Sequence, residues 1–193
     1  MSINIVILAA GSSSRLGQSK QLIQVNGKSL LKHAAKSALD SEADSVIVVL
    51  GSNSPSHKLE IEPLGVEIIE NKNWQAGMGS SLKVGLNHLL SSTAEIQAII
   101  VMVCDQPYLT TAHLNKLIST YRKQKSEIVA STYNTTKGVP ALFNASMFPK
   151  LITLGDEQGA RKIIEKHIGT ISLVPFEKGE IDIDTPEDLE KLG

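Results

Sequence analysis

The sequence predicts a single three-layer α/β domain, a mostly parallel central sheet with helices on both faces, spanning residues 1–193. Three observations predict it. Short runs rich in Val and Ile alternate along the chain with helically spaced apolar positions. Several of those runs are continuously apolar, the pattern of strands buried on both faces. A chain of 193 residues is also long enough to enclose one core, and no repeat, low-complexity tract or linker divides it.

Taken in order, Ile3 to Ala10, Ser45 to Leu50, Val66 to Glu70 and Ala98 to Val103 read as strands bounded by Gly, Asn, Asp or Pro. Between them, Leu30, Leu31, Ala34, Ala35 and Ala38 follow Ser29 at helical spacing. Leu82, Val84, Leu86, Leu89 and Leu90 do the same after Ser80, and Leu114, Leu117, Ile118 and Tyr121 after Thr111. Later strands are expected at Glu127 to Thr132, Val139 to Phe143 and Thr170 to Val174. Later helices are expected near Ala145 to Leu151, Gly159 to His167 and Pro186 to Leu192.

Composition narrows the function classes. Hydrophobic residues make up 41% and charged residues 20% of the chain, the usage of a folded soluble protein. A net charge of -1 gives no chain-wide positive field, which argues against nucleic acid or a membrane surface as partner and makes any phosphate recognition local. Cys104 is the only cysteine, which excludes an internal disulfide framework and a thiolate zinc site and fits a cytoplasmic protein. The opening MSINIVILAAG lacks a basic leader region and is too short for a membrane span; it reads as a core strand.

In sheets of this kind ligands gather at the carboxyl ends of strands, so the loops there are the place to look for chemistry. The first is ILAAGSSSRLGQSK, residues 7–20. It is no P-loop, because Gln18 stands where a lysine is required, and no dinucleotide fingerprint, because Ser13 stands where the second glycine should be. Two readings remain: a backbone concavity for a triphosphate, with Arg15 and Lys20 as its cations, or a plain surface turn.

The second loop is VCDQP, residues 103–107, where Asp105 either offers a hard carboxylate oxygen to Mg²⁺ or starts a turn before Pro107. Cys104 reads as a small buried hydrophobe. In NKNWQAGMGSSLKVGL, residues 71–86, Gly77, Gly79, Ser80 and Ser81 either present backbone and hydroxyl groups to a planar base or simply cap a helix. DIDTPEDL, residues 182–189, reads as a capped helix start, yet it brings a second carboxylate. None of the five histidines has metal-ligand spacing, and His33, His57, His88, His113 and His167 all read as packed or solvated.

LAAGSSSRLGQSK, N..W..GMGSSL, CDQP, GVPALF, GDEQGAR and DIDTPEDL, standing in this order over nearly the whole chain, resemble the MobA-like nucleotidyltransferase family. The similarity is greatest to its molybdenum cofactor cytidylyltransferase branch. The resemblance implies a Rossmann-like fold and a transfer of CMP from CTP to molybdenum-carrying molybdopterin, giving the cytosine dinucleotide cofactor and pyrophosphate. A molybdenum hydroxylase would receive the product.

By the same resemblance Leu8, Ala9, Ala10 and Gly11 approach the nucleotide and Arg15 and Lys20 contact its phosphates. Gly79 and Ser80 select the base, and Asp105 and Asp184 hold Mg²⁺, with Asp182 as the alternative second ligand. Arg15, Lys20 and Asp105 are the implied catalytic residues. Val139 departs from the family's frequent histidine, which bears on the acceptor. An acceptor phosphate is already anionic near neutral pH, so positioning and positive charge suffice and no nucleophilic triad is required. The alternatives are a guanylyl or cytidylyl transferase for another phosphorylated acceptor, and an accessory protein that binds nucleotide or cofactor without turnover.

Overall fold

The computed structural model describes residues 2–12, 18–91, 95–167, 169–183 and 188. Among these, β1 (Ser2–Ala9) leads to a hairpin of β2 (Gln24–Val25) and β3 (Lys28–Ser29), then α1 (Leu30–Leu39) and β4 (Ser45–Leu50). The chain continues through α2 (Ser54–Ile61), β5 (Glu67–Glu70), α3 (Met78–Ser91), β6 (Ile96–Val103) and α4 (Thr111–Gln124). It ends with β7 (Ile128–Tyr133), β8 (Thr136–Asn144), α5 (Phe148–Ile152), α6 (Arg161–Lys166) and β9 (Ile171–Pro175).

Seven strands form one sheet in the order β5-β4-β1-β6-β8-β7-β9. Its pairs are parallel except at β8, which runs antiparallel to both β6 and β7. Strand order reverses about β1, whose neighbours β4 and β6 come later in the chain, and this reversal opens the crevice in which such sheets bind ligands.

From Ile5 to Ala9 β1 is continuously apolar because both its faces are covered. Ile3, Ile5 and Ile7 point to the layer formed by α1 and α4, where Leu31, Ala34, Leu114 and Leu117 meet them. Val6 and Leu8 point to the opposite layer, where Leu82 and Leu86 of α3 join Leu151 of α5 and Ile163 of α6. The one polar side chain within it, Asn4, is buried with its hydrogen bonds made: its Nδ2 donates to Ser2 Oγ at 3.0 Å and its Oδ1 accepts from Ser45 Oγ at 2.6 Å. Helix starts follow the expected chemistry: Ser29 Oγ accepts from the Lys32 N–H at 3.1 Å, and Thr110 Oγ1 from the His113 N–H at 3.3 Å.

Several boundaries differ from the sequence reading. β8 is longer than Val139 to Phe143, because its pairing with β7 runs on to Tyr133 opposite Thr136. α3 starts at Met78 and α6 at Arg161, and the segment Ala145–Met147 is a 3₁₀ turn ahead of α5. α2 lacked an apolar stripe in the sequence; it buries Ser54, His57 and Ile61. The helix expected at Pro186 to Leu192 lies outside the described residues, as do Arg15 and Asp184. Among the described residues no helix is long and apolar enough to cross a membrane.

Candidate active site

Where β1 and β6 end side by side, the chain leaves the sheet at Ala10 and at Cys104, and the space between holds a cavity of about 280 Å³. Its floor is the strand ends themselves, Leu8 to Ser12 from β1 and Val103 to Asp105 from β6. One wall comes from Lys20 and Gln21, and the other from Trp74, Gln75, Gly77, Met78 and Ser81. Of the residues expected to meet a nucleotide, Leu8, Ala9, Ala10, Gly11 and Lys20 all line this cavity, together with Asp105.

The Lys20 ammonium pairs directly with Asp105 Oδ2. Asp105 Oδ1 is buried and has no hydrogen-bond partner among the described residues. A buried anionic oxygen without a donor is costly, and a hard cation is the natural partner for it. Beside it, the Ile183 N–H donates to the Asp105 carbonyl at 3.2 Å, which brings the 182–183 backbone to the end of β6. Asp105 Oδ1 thus offers a hard oxygen that a divalent cation would fit. No cluster of three or more His, Cys, Asp or Glu side chains suited to a metal stands among the described residues, so phosphate oxygens and water would complete the shell.

The backbone where the chain leaves β1 is braced by Gln21, which the sequence does not single out. It is 1% exposed, and its Nε2 donates to the carbonyls of Ala9 at 3.2 Å and Gly11 at 2.7 Å. Trp74 lines the cavity and stands against Gly51, where a Cβ would come within 2.6 Å of the Trp74 Cβ and 2.8 Å of the Ala10 Cβ. Glycine at the end of β4 is therefore what admits the indole beside the loop.

Gly79 and Ser80 stand behind the cavity wall. An added Cβ at Gly79 would lie 2.2 Å from the Gly155 carbonyl oxygen, so the 155–158 loop of GDEQGAR rests on the first turn of α3. The Ser80 N–H, one of the amides a helix start leaves without an internal partner, donates to the Asp156 carbonyl at 3.2 Å. Asn71 Nδ2 donates to both Ser80 Oγ at 2.9 Å and Ser81 Oγ at 3.0 Å, and Ser80 Oγ donates to the Asn73 carbonyl at 3.1 Å. The N..W..GMGSSL motif is thus a bracing network; it presents Gly77, Met78 and Ser81 to the cavity, with Gly79 and Ser80 supporting them.

On the other side of Asp105, Gln106 Nε2 donates to the carbonyls of Val139 at 3.3 Å and Gly179 at 3.0 Å. Tyr133 Oη also donates to the Val139 carbonyl, at 3.4 Å. Position 139 therefore contributes its backbone, which any side chain supplies. Burial, with a further push from Asp182, raises the Tyr133 pKa above its ordinary value. Burial likewise pushes the Cys104 thiol up to about 12, so Cys104 is a packed apolar side chain at physiological pH, as read from the sequence.

Comparison with known proteins gives these features a context. Residues 5–171 match the family model described as the MobA-like NTP transferase domain. The purine catabolism protein PucB of Bacillus subtilis is 29% identical over 97% of this chain and 94% of its own length. A nicotine blue oxidoreductase of Paenarthrobacter nicotinovorans is 28% identical over 97% of this chain and 94% of its own length. A molybdenum cofactor guanylyltransferase of Vibrio campbellii is 28% identical over 97% and 93%. Among solved structures, Rv0371c of Mycobacterium tuberculosis H37Rv superposes with a TM-score of 0.85 at 25% identity, covering 100% of this chain and 97% of that one.

Proposed function

The chain belongs to the MobA-like NTP transferase family, and from that premise we propose that residues 1–193, as one domain, transfer CMP from CTP to the terminal phosphate of molybdenum-carrying molybdopterin. A phosphate oxygen of the acceptor attacks the α-phosphorus of CTP. The bond from that phosphorus to the bridging oxygen breaks, and pyrophosphate leaves with the electron pair. The single observation that carries this reading is the Lys20–Asp105 pair at the mouth of two strand ends, with Asp105 Oδ1 left for a cation.

Each residue has a task in such a transfer. The Lys20 ammonium offsets charge that builds on the phosphates as the leaving group departs, and Arg15 adds a second cation from the same loop. Leu8, Ala9, Ala10 and Gly11 form the floor on which the nucleotide lies, and Gly79 with Ser80 sets the first turn of α3 that faces the base. Asp105, with Asp184 as its partner carboxylate and Asp182 as the alternative, would hold Mg²⁺. Magnesium bound there would supply charge neutralisation and a template for the triphosphate.

The similar relatives bear different names, so base and acceptor are read from this chain's own motifs. LAAG, CDQP and GDEQGAR resemble the cytidylyl branch and favour CTP. The relative named as a guanylyltransferase supports GTP as the second reading. Cytoplasmic residence and delivery of the product to a molybdenum hydroxylase complete the proposal. The test is pyrophosphate release by purified protein with Mg²⁺ and molybdenum-loaded molybdopterin, with CTP, GTP, ATP and UTP run in parallel. Acceptor-dependent release with CTP is expected. Release with GTP would move the protein to the guanylyl branch, and no release with any nucleotide would overturn this acceptor.

A further inference from the structure

A buried side chain in α2 is connected to the cavity through its wall. His57 is fully buried, and its Nε2 lies 2.6 Å from Ser19 Oγ, across 38 positions of sequence. Ser19 Oγ donates to Gln21 Oε1 at 2.8 Å, and Gln21 Nε2 donates onward to the Ala9 and Gly11 carbonyls. The proton inventory gives this chain a direction. Gln21 gives its amide N–H groups to carbonyls, so its oxygen is the side facing Ser19 and can only accept. The single hydroxyl proton of Ser19 is committed to that oxygen. His57 Nε2 must therefore be the donor to Ser19, which leaves Nδ1 as a bare lone pair, buried and without a hydrogen-bond partner among the described residues. Burial also lowers the His57 pKa, in keeping with a neutral ring.

We propose that His57 is a positioning residue for Lys20 and for the Ala9–Gly11 backbone at the cavity, acting through Ser19 and Gln21. The inference rests on the nucleotidyl-transfer reading of the cavity. Two consequences follow from the chain of donors. The Ala9 and Gly11 carbonyls are occupied by Gln21, which keeps the negative ends of two peptide dipoles committed within the protein and off an anionic ligand. Lys20 lies between Ser19 and Gln21 in sequence, so fixing both neighbours fixes the backbone from which its ammonium reaches Asp105. A buried ring with one orphan nitrogen is an expensive way to fill a core position; a leucine would fill it without that cost. The hydrogen bond it supplies to the wall of the site is what the histidine adds.

The test is calorimetric titration of the intact protein with inorganic pyrophosphate in magnesium chloride, a probe that involves no base or acceptor. His57→Leu, which keeps the volume and removes the donor, should weaken pyrophosphate binding by about 10-fold, the worth of one well-placed hydrogen bond. His57→Gln, whose amide nitrogen can take the place of Nε2, should remain within about 3-fold of wild type. Ser19→Ala breaks the chain one link nearer the loop and should match His57→Leu; it also serves if the leucine variant does not fold. The double variant should bind no more weakly than Ser19→Ala alone, because both act along one path.

Wild-type affinity in His57→Leu, or losses that multiply in the double variant, would overturn the inference while leaving the nucleotidyl-transfer reading intact. Failure of the wild-type protein itself to bind pyrophosphate would overturn both.

Discussion

Lys20 and Asp105 meet as an ion pair although 85 positions separate them in the chain, one following the glycine loop after β1 and the other ending β6. Parallel pairing of β1 with β6, in which Leu8 sits opposite Val103, is what brings their exits together. The charge chemistry proposed for this protein stands on that register.

Asp105→Asn keeps the shape of the side chain and removes its charge. Turnover should fall by about 100-fold or more, the usual cost of removing a preorganised electrostatic group. The folded state should survive, as read by circular dichroism. Wild-type pyrophosphate release by this variant would remove Asp105 from the mechanism.

Lys20→Ala should lower kcat by about 100-fold through lost charge stabilisation. The comparison that matters is with Lys20→Arg, which restores the charge in a planar, bulkier group and should recover only part of the rate. A rate in Lys20→Ala equal to that of wild type would leave the ion pair as a structural contact.

Two glycines of the recognised motifs should part company. At Gly79 a methyl group would meet the Gly155 carbonyl oxygen at 2.2 Å and the Gln158 carbonyl oxygen at 2.7 Å, both backbone atoms. Gly79→Ala should therefore destabilise the protein by about 1–3 kcal/mol, measured by urea denaturation. At Gly11 no atom of the described residues lies within 4 Å of an added Cβ. Gly11→Ala should leave the denaturation midpoint in place and weaken nucleotide binding, because the methyl group enters space the ligand is proposed to use.

His113 carries a pH signature. It is buried, donates through Nε2 to Ser131 Oγ at 2.7 Å, and stacks on Phe176 with ring centroids 4.5 Å apart. Burial lowers its pKa from 6.5 to about 4. Between those values the unfolded chain takes up a proton that the folded one refuses, so stability is full above about pH 6.5, falls as pH drops, and levels off below about pH 4. The loss attributable to this ring is at most about 3 kcal/mol. His113→Gln, which retains a donor for Ser131, should flatten the urea midpoint against pH over that window; an unchanged slope would show that the ring does not resist protonation.

Much of this is legible in the sequence. β1, β4 and β6 announce themselves because strands buried on both faces are mostly apolar, and Asp105 stands out by following such a run. α2 was hidden because only Ser54, His57 and Ile61 turn inward, too few positions to raise a periodic signal. The β2–β3 hairpin did leave a signal: Asn26 and Gly27 both have positive φ, 52° and 75°, the backbone that an Asn-Gly turn is chosen for. The roles of Gln21 and His57 were beyond sequence reasoning, since a glutamine bonded to the backbone and a histidine bonded to a serine depend on tertiary neighbours. The cavity-facing residues of N..W..GMGSSL shifted for the same reason, because the 155–158 loop claims Gly79 and the Asn71 side chain claims Ser80.

The position of β1 inside the sheet has a consequence for how the protein is made. β1 is synthesised before both of its partners and pairs on one edge with β4 and on the other with β6, so its second edge stays open until residue 103 has emerged. An open apolar strand edge is a template for pairing with other chains, and a nascent polypeptide in that state is the natural client of a chaperone. Lys20 waits through the same interval for Asp105. Charge complementarity at the cavity is thus a late event in biosynthesis, completed only when β1 has been enclosed on both sides.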